Sequence, residues 1–299
     1  LNTVKKNDNL HFIKNNYQAI ANGTLLEETN LSNDLKLYHY KTAEPLPTKV
    51  MVLGIAHFAV QHLGETHNIP VSNWVYPQTK EQGFYDFANT KNILDFFIEK
   101  FGEYPYQKLA NVQSKTQFGG MENAGAIFYA EKYVKGERDF EDTIAHEIAH
   151  QWFGNSASET DWPHLWLSEG FATYLSGLVV ENLDGEDDFI AWKNSLVSDI
   201  TALPNGAVYL TETEATNVGR IFSSRLSYNK GAMVVHMLRW KMGDEDFYQG
   251  LKNFLADPIL AFGYAVTEDL QMHLEAVSGM DLTEFFEDWV YGQGHPSYT

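Results

Sequence analysis

Apolar and polar positions alternate with a period of two along the opening of the chain, most clearly from Asp34 to Lys41. Asn22-Gly23 and Ser32-Asn33-Asp34 supply turn residues between such stretches, so the opening is predicted to be a set of short strands. Pro45 and Pro47 interrupt the alternation before an apolar run from Val50 to Val60, which predicts one buried strand. From Asn89 to Phe101 the period lengthens. Ile93, Leu94, Phe97 and Ile98 then share one helical face, and Gly102 and Pro105 end the segment. A short strand is expected near 110–113 and a glycine-rich strand around 117–130, with helices from there nearly to the C-terminus. No internal repeat or low-complexity tract is present. The pattern is that of an α+β protein: a β-rich opening, then a body that becomes mostly helical.

Composition narrows the class. The 299 residues are 44% hydrophobic, with 19 Phe, 16 Tyr and 7 Trp, enough for a sizeable core and against a disordered or fibrous chain. The formal charge of −19 repels phosphate backbones and anionic bilayers, which argues against nucleic-acid binding and membrane docking. With no cysteine, a disulfide scaffold, a thiol nucleophile and a cysteine zinc site are all excluded, while the compartment stays open. The most apolar stretch, Val50 to Val60, is about half the ~20 residues of a membrane span and is interrupted by His57, so no membrane insertion is expected. The chain opens on Leu1 without a signal-peptide pattern and reads as a piece of something longer.

The chemistry is concentrated in His146-Glu147-Ile-Ala-His150. On a helix, two histidines four residues apart lie one turn above the other on one face, where both imidazoles can bind one ion. Glu147, about 100° further round, points away from that row and can instead take a proton from a metal-bound water. Such a site calls for a third ligand from another element. Glu169 follows His150 within a helical pattern, Leu165 to Ser176, and can supply it. Two imidazoles and a carboxylate leave one position for water, so the reaction class is metal-assisted hydrolysis of a carbonyl compound, most simply a peptide bond. Upstream, Gly119-Gly120-Met121-Glu122-Asn123 precedes an apolar strand, Ala126 to Ala130. Paired glycines let a ligand backbone approach closely, and Glu122 could clamp a positive amine. A glycine bulge with a solvent-facing Glu is the plainer reading of that stretch alone.

These motifs together resemble the zinc aminopeptidases that include aminopeptidase N and leukotriene hydrolase. Gly-Gly-Met-Glu-Asn at 119–123, His-Glu-Ile-Ala-His-Gln-Trp-Phe-Gly-Asn at 146–155, Trp-Leu-Ser-Glu-Gly-Phe-Ala at 166–172 and Ser-Tyr-Asn-Lys-Gly-Ala at 227–232 occur in the family's order. The resemblance spans about residues 60–296 and implies a thermolysin-like gluzincin catalytic domain. Residues 61–299 would form that domain, and residues 1–60 the closing strands of an N-terminal β-domain. It further implies one Zn²⁺ per chain on His146, His150 and Glu169, with Glu147 as base. Glu122 would bind the free α-amine of a peptide, Gly119 and Gly120 would pair with its main chain within the substrate-binding run that includes Met121 and Asn123, and Tyr228 would donate to the oxyanion. Partners would be peptides with a free N-terminus and further domains of the same protein.

Three positions depart from the family pattern: Ser168 where Asn is usual, and Ser176 and Ser223 where acidic residues are common. The rival readings are an endopeptidase or epoxide hydrolase on the same zinc site, and a non-catalytic peptide-binding scaffold. His57, His62, His67 and His236 lack ligand-spaced partners, and His164 reads as structural. Glu186-Asp187-Asp188 reads as the solvated start of a helix, favoured by its dipole.

Overall fold

The computed structural model describes residues 4–295. The outermost residues of the two predicted domains, 1–3 and 296–299, lie outside the described residues. The described chain forms two compact units, one holding 4–99 and 103–151, the other 100–102 and 152–295.

The first unit opens with seven strands: β1 (Val4–Lys5), β2 (Asp8–Lys14), β3 (Gln18–Ala21), β4 (Thr24–Asn30), β5 (Leu35–Lys41), β6 (Leu46–Pro47) and β7 (Leu53–Ala56). β2, β5 and β4 make an antiparallel three-stranded sheet in that order, β1 pairs with β6, and β3 with β7. The predicted alternation is visible in burial: Tyr38 and Tyr40 pack with Ile13, Ala19 and Ala21, while Leu10 and Phe12 face solvent. Asn33 and Asp34 adopt the left-handed backbone their turn requires, with φ of 63° and 57°.

The run 50–60 departs from the expected single buried strand. β7 stops at Ala56 and β8 (Ala59–Thr66) begins three residues later. Leu53 and Ile55 are exposed, because among the described residues β7 pairs only with β3 and one face of that ribbon meets water.

β8 continues into β9 (Ile69–Val75), then α1 (Lys80–Asp86) and α2 (Thr90–Phe101) lead to β10 (Leu109–Ser114), β11 (Gly120–Met121) and β12 (Ala126–Ala130). These strands form a five-stranded sheet in the order β11-β12-β10-β9-β8, parallel at its centre and antiparallel at both ends. Leu109, Ala110 and Val112 on β10 are fully buried, as expected for a strand covered on both faces. Ile93, Leu94 and Phe97 of α2 are buried, as their spacing predicts. The glycine-rich stretch 117–130 is a hairpin rather than one strand: β11 turns through 122–125 into β12, with Gly120 opposite Tyr129 and Met121 opposite Phe128. Gly125 takes φ +69° at the end of that turn, which breaks the strand. α3 (Glu141–Ala149) closes this unit.

The second unit holds β13 (Ala157–Glu159), α4 (Trp166–Leu183), α5 (Glu186–Thr201), α6 (Val218–Ile221), a π-helical turn Ser224–Lys230, α7 (Gly231–Met242), α8 (Asp244–Ala256), β14 (Gly263–Ala265), α9 (Thr267–Ser278) and α10 (Thr283–Phe286). β13 and β14 pair in parallel. α4 is the central helix, buried on nearly every side from Trp166 to Val179 and packed against α5 and α7. Glu186, Asp187 and Asp188 fill the first turn of α5, where the helix dipole favours them. Among the described residues no helix is long and apolar enough to cross a membrane.

Candidate active site

α3 carries the two histidines and the glutamate between them. Glu141 and Asp142 favour its N-terminus, and Ile144, Ala145, Ile148 and Ala149 bury its apolar side. His150 is the first residue past the helix, yet keeps helical geometry and donates its N–H to the His146 carbonyl at 3.2 Å. The two imidazoles therefore lie along one face, as the four-residue spacing predicts, edge to face with an interplanar angle of 87° and their Nε2 atoms 3.0 Å apart. Glu147 is buried on another side of the helix.

What lies against Glu147 is β11. A Cβ built at Gly120 would overlap the Cγ, Cδ and Oε1 atoms of Glu147. Glycine is required here for clearance, and it brings the backbone of the Gly-Gly-Met-Glu-Asn motif directly onto the Glu147 carboxylate. β11 is also the end strand of its sheet, with β12 on one side and, among the described residues, no strand on the other. The Gly119 carbonyl is taken by the Ala130 N–H at 3.0 Å. Glu122 begins the turn that follows, half-buried, and Asn123 is buried behind it.

That turn is fastened to α3 by Gln151, a residue the sequence patterns do not single out. Its side chain is fully buried. Oε1 accepts from the Gly125 N–H at 2.9 Å and the Tyr104 hydroxyl at 3.4 Å, and Nε2 donates to the carbonyls of Glu122 at 3.0 Å and Glu147 at 3.4 Å. Only its place immediately after the second histidine hints at this.

Glu169 stands in the first turn of α4, buried. Beside it, Gly170 meets Gly231 at the start of α7: a Cβ on Gly170 would sit 3.0 Å from the backbone of Gly231, and the reverse holds for Gly231. Two helices can approach so closely only where both lack side chains, and the π-helical turn bearing Tyr228 leads straight into that contact. π turns within helices are frequent at functional positions. Lys230, buried at its end, donates to the carbonyls of Gly206 at 3.0 Å and Gly292 at 3.3 Å. Burial, with Arg225 and Arg220 nearby, pulls its pKa down to about 8. Ser227 Oγ donates to the Ile221 carbonyl at 2.7 Å, and the Ser223 carbonyl accepts the N–H groups that open the turn. Ser176 is bonded back to the Thr173 carbonyl of its own helix at 2.8 Å.

One ligand atom from each of His146, His150 and Glu169 lies within 4.8 Å of the other two. An ion that binds imidazole nitrogen at about 2.0–2.1 Å can bridge nitrogens 3.0 Å apart, so the donor set fits zinc in both chemistry and spacing. Three other histidines make contacts away from this group. His164 Nδ1 accepts from the Thr267 N–H at 3.0 Å, in a buried group completed by Trp166 Nε1 donating to Thr267 Oγ1. His57 stacks on Tyr17, and His236 Nδ1 lies 3.3 Å from the Tyr174 hydroxyl.

The chain is similar in sequence and fold to known proteins. The chain is 29% identical to aminopeptidase M1 of Arabidopsis thaliana, over 93% of its own length and 33% of that protein's. It is 27% identical to the glutamyl aminopeptidase of Rattus norvegicus, over 95% of this chain and 31% of the relative. It thus spans about a third of the length of these relatives. The M1 zinc metallopeptidase of Deinococcus radiodurans superposes with a TM-score of 0.80 at 22% identity, over 99% of this chain and 65% of that one, which establishes the likeness of fold. Residues 85–289 match the peptidase family M1 domain, about two-thirds of the chain, and on that match the chain belongs to peptidase family M1.

Proposed function

We propose that the chain is the catalytic portion of a zinc-dependent aminopeptidase, which removes the N-terminal residue of peptides. The observation that carries the reading is the convergence of His146, His150 and Glu169 on one small volume, with Glu147 on the same helix as the histidines. These three side chains would hold one zinc ion per chain. The chemistry zinc supplies when bound is Lewis acidity, which activates water near neutral pH and polarises a carbonyl.

The rest falls to the chain's own groups. Glu147 takes the proton of the attacking water at its carboxylate and returns it to the departing amine. Its burial keeps that proton from bulk solvent. The open edge of β11 offers backbone groups to an extended peptide, as sheet edges do in strand addition, and Gly120 lets that peptide lie against the base. Glu122, one residue past the edge, pairs with the terminal ammonium, which selects a free N-terminus over an internal bond and favours an aminopeptidase over an endopeptidase. Tyr228 donates to the carbonyl oxygen as negative charge develops on it. Two relatives are named for terminal-residue cleavage, the glutamyl aminopeptidase above and the leucyl aminopeptidase of Saccharolobus solfataricus, which is 28% identical over 93% of this chain. The Deinococcus enzyme also has a form bound to a Tyr-Ser-Ala substrate.

The experiment is an assay of the full-length protein with aminoacyl amides and their N-acetyl counterparts, beside metal analysis. We expect one zinc per chain and strong preference for the free amine. A charge-assisted hydrogen bond worth ~1.5–3 kcal/mol gives about 10–150-fold discrimination. Glu147→Gln should keep the metal and lose activity. Equal cleavage of acetylated and free substrates would overturn the aminopeptidase reading, and zinc near zero would overturn the site.

A further inference from the structure

We propose that Gln151 is a positioning residue that sets the span between the amine-binding carboxylate and the general base. This rests on the reading of Glu122 and Glu147 given above. The Gln151 amide nitrogen donates to the main-chain carbonyl of Glu122 at 3.0 Å and to that of Glu147 at 3.4 Å. One side-chain group thus holds the backbones of the two carboxylates whose separation decides which bond of a peptide is cut. Its oxygen meanwhile accepts from the Gly125 N–H at 2.9 Å, the left-handed residue that closes the turn after Glu122. Both ends of the turn are therefore pinned to α3 through one planar amide.

Alternatives to glutamine fail for stated reasons. A carboxamide has two donor protons and an oxygen acceptor, and all are used here in a fully buried place. Glutamate at the same length has no donor when ionised and would set its charge against two carbonyl oxygens. Asparagine is one methylene short. Methionine matches the volume and leaves the Glu122 carbonyl and the Gly125 N–H without their partner. The turn would then be free to drift from α3, while the histidines, on the helix itself, would keep their spacing. An amide that merely filled the core would show no such separation of effects.

The test uses zinc-loaded full-length protein and a pair of hydroxamate inhibitors, one an amino-acid hydroxamate and the other its analogue without the amine. Both carry the same zinc-binding group, and only the first needs Glu122. In the wild type the amine-bearing inhibitor should bind at least tenfold tighter. In Gln151→Glu and Gln151→Met we expect that ratio to fall towards one. Inhibition by the amine-free analogue, zinc content and cooperative unfolding should stay near wild type, and loss on peptide substrates should appear mainly in KM. A wild-type preference that persists unchanged in both variants would overturn the role of Gln151 and leave the function intact. A wild type with no preference would overturn both. If both variants lose zinc or fold, Gln151 is a structural strut and the proposal falls.

Discussion

Two glycine contacts, one in each unit, stand beside the groups assigned to chemistry, and they work by different physics. At Gly120 the missing Cβ leaves room for a side chain, the carboxylate of Glu147. At Gly170 and Gly231 the missing Cβ atoms let one backbone touch another, where α4 meets α7. A carboxylate can swing aside at little cost to the fold. Two helix backbones cannot. The same residue type, next to residues of the same mechanism, therefore protects geometry in one unit and stability in the other.

The largest effect should come from Tyr228, three residues before Gly231. Tyr228→Phe keeps the ring and deletes the hydroxyl, so kcat should drop about 10²–10³-fold while KM, zinc content and Tm hold. A variant with half the wild-type kcat would return this residue to a packing role. Next is Gly120→Ala. Pushing Glu147 aside by about an ångström should cost roughly 10²-fold in kcat/KM, with Tm nearly unchanged. If Tm fell instead and activity survived, the clearance account would be wrong.

Gly170→Ala should do the reverse. Overpacking costs about 1–3 kcal/mol, and alanine's helix preference returns up to ~1 of that. The net is a Tm lower by a few degrees, measured by calorimetry, with kcat per folded, zinc-loaded molecule preserved. Equal losses of activity in Gly120→Ala and Gly170→Ala would erase the contrast. The smallest effect concerns pH. Burial holds the pKa of His236, on α7, down at about 4 against 6.5 for a free histidine. The unfolded chain therefore binds this proton near pH 6.5 and the folded chain only near 4. Stability should fall as pH drops through that window. Allowing for half-burial, the loss is on the order of 1–2 kcal/mol, and His236→Phe should flatten the slope in denaturant melts taken between pH 4 and 6.5.

The sequence was most legible where a local period sets geometry. The histidine pair, the buried face of α2 and the start of α4 follow from helical spacing alone, although α4 runs on past Ser176 to Leu183. Glu169 was reachable because its own helix was. The misreadings lie where non-local pairing decides: the run 50–60 split into β7 and β8, and 117–130 folded back as a hairpin, because which strand lies alongside is not written in a period. Tyr228 carried no signal of its own beyond a helix start, since the π turn that bears it is held by Lys230 to two distant loops. Gln151 was equally silent, because a buried amide is recognised only by the carbonyls around it.

β11 is two residues long. An open sheet edge is an invitation to any extended chain, including unfolded neighbours of the same kind, and proteins ordinarily shield or shorten such edges. An edge this short is too brief to template a growing sheet. On the proposed function, the strand would discriminate by length of engagement: it would admit a chain terminus and give an aggregating strand almost nothing to zip onto.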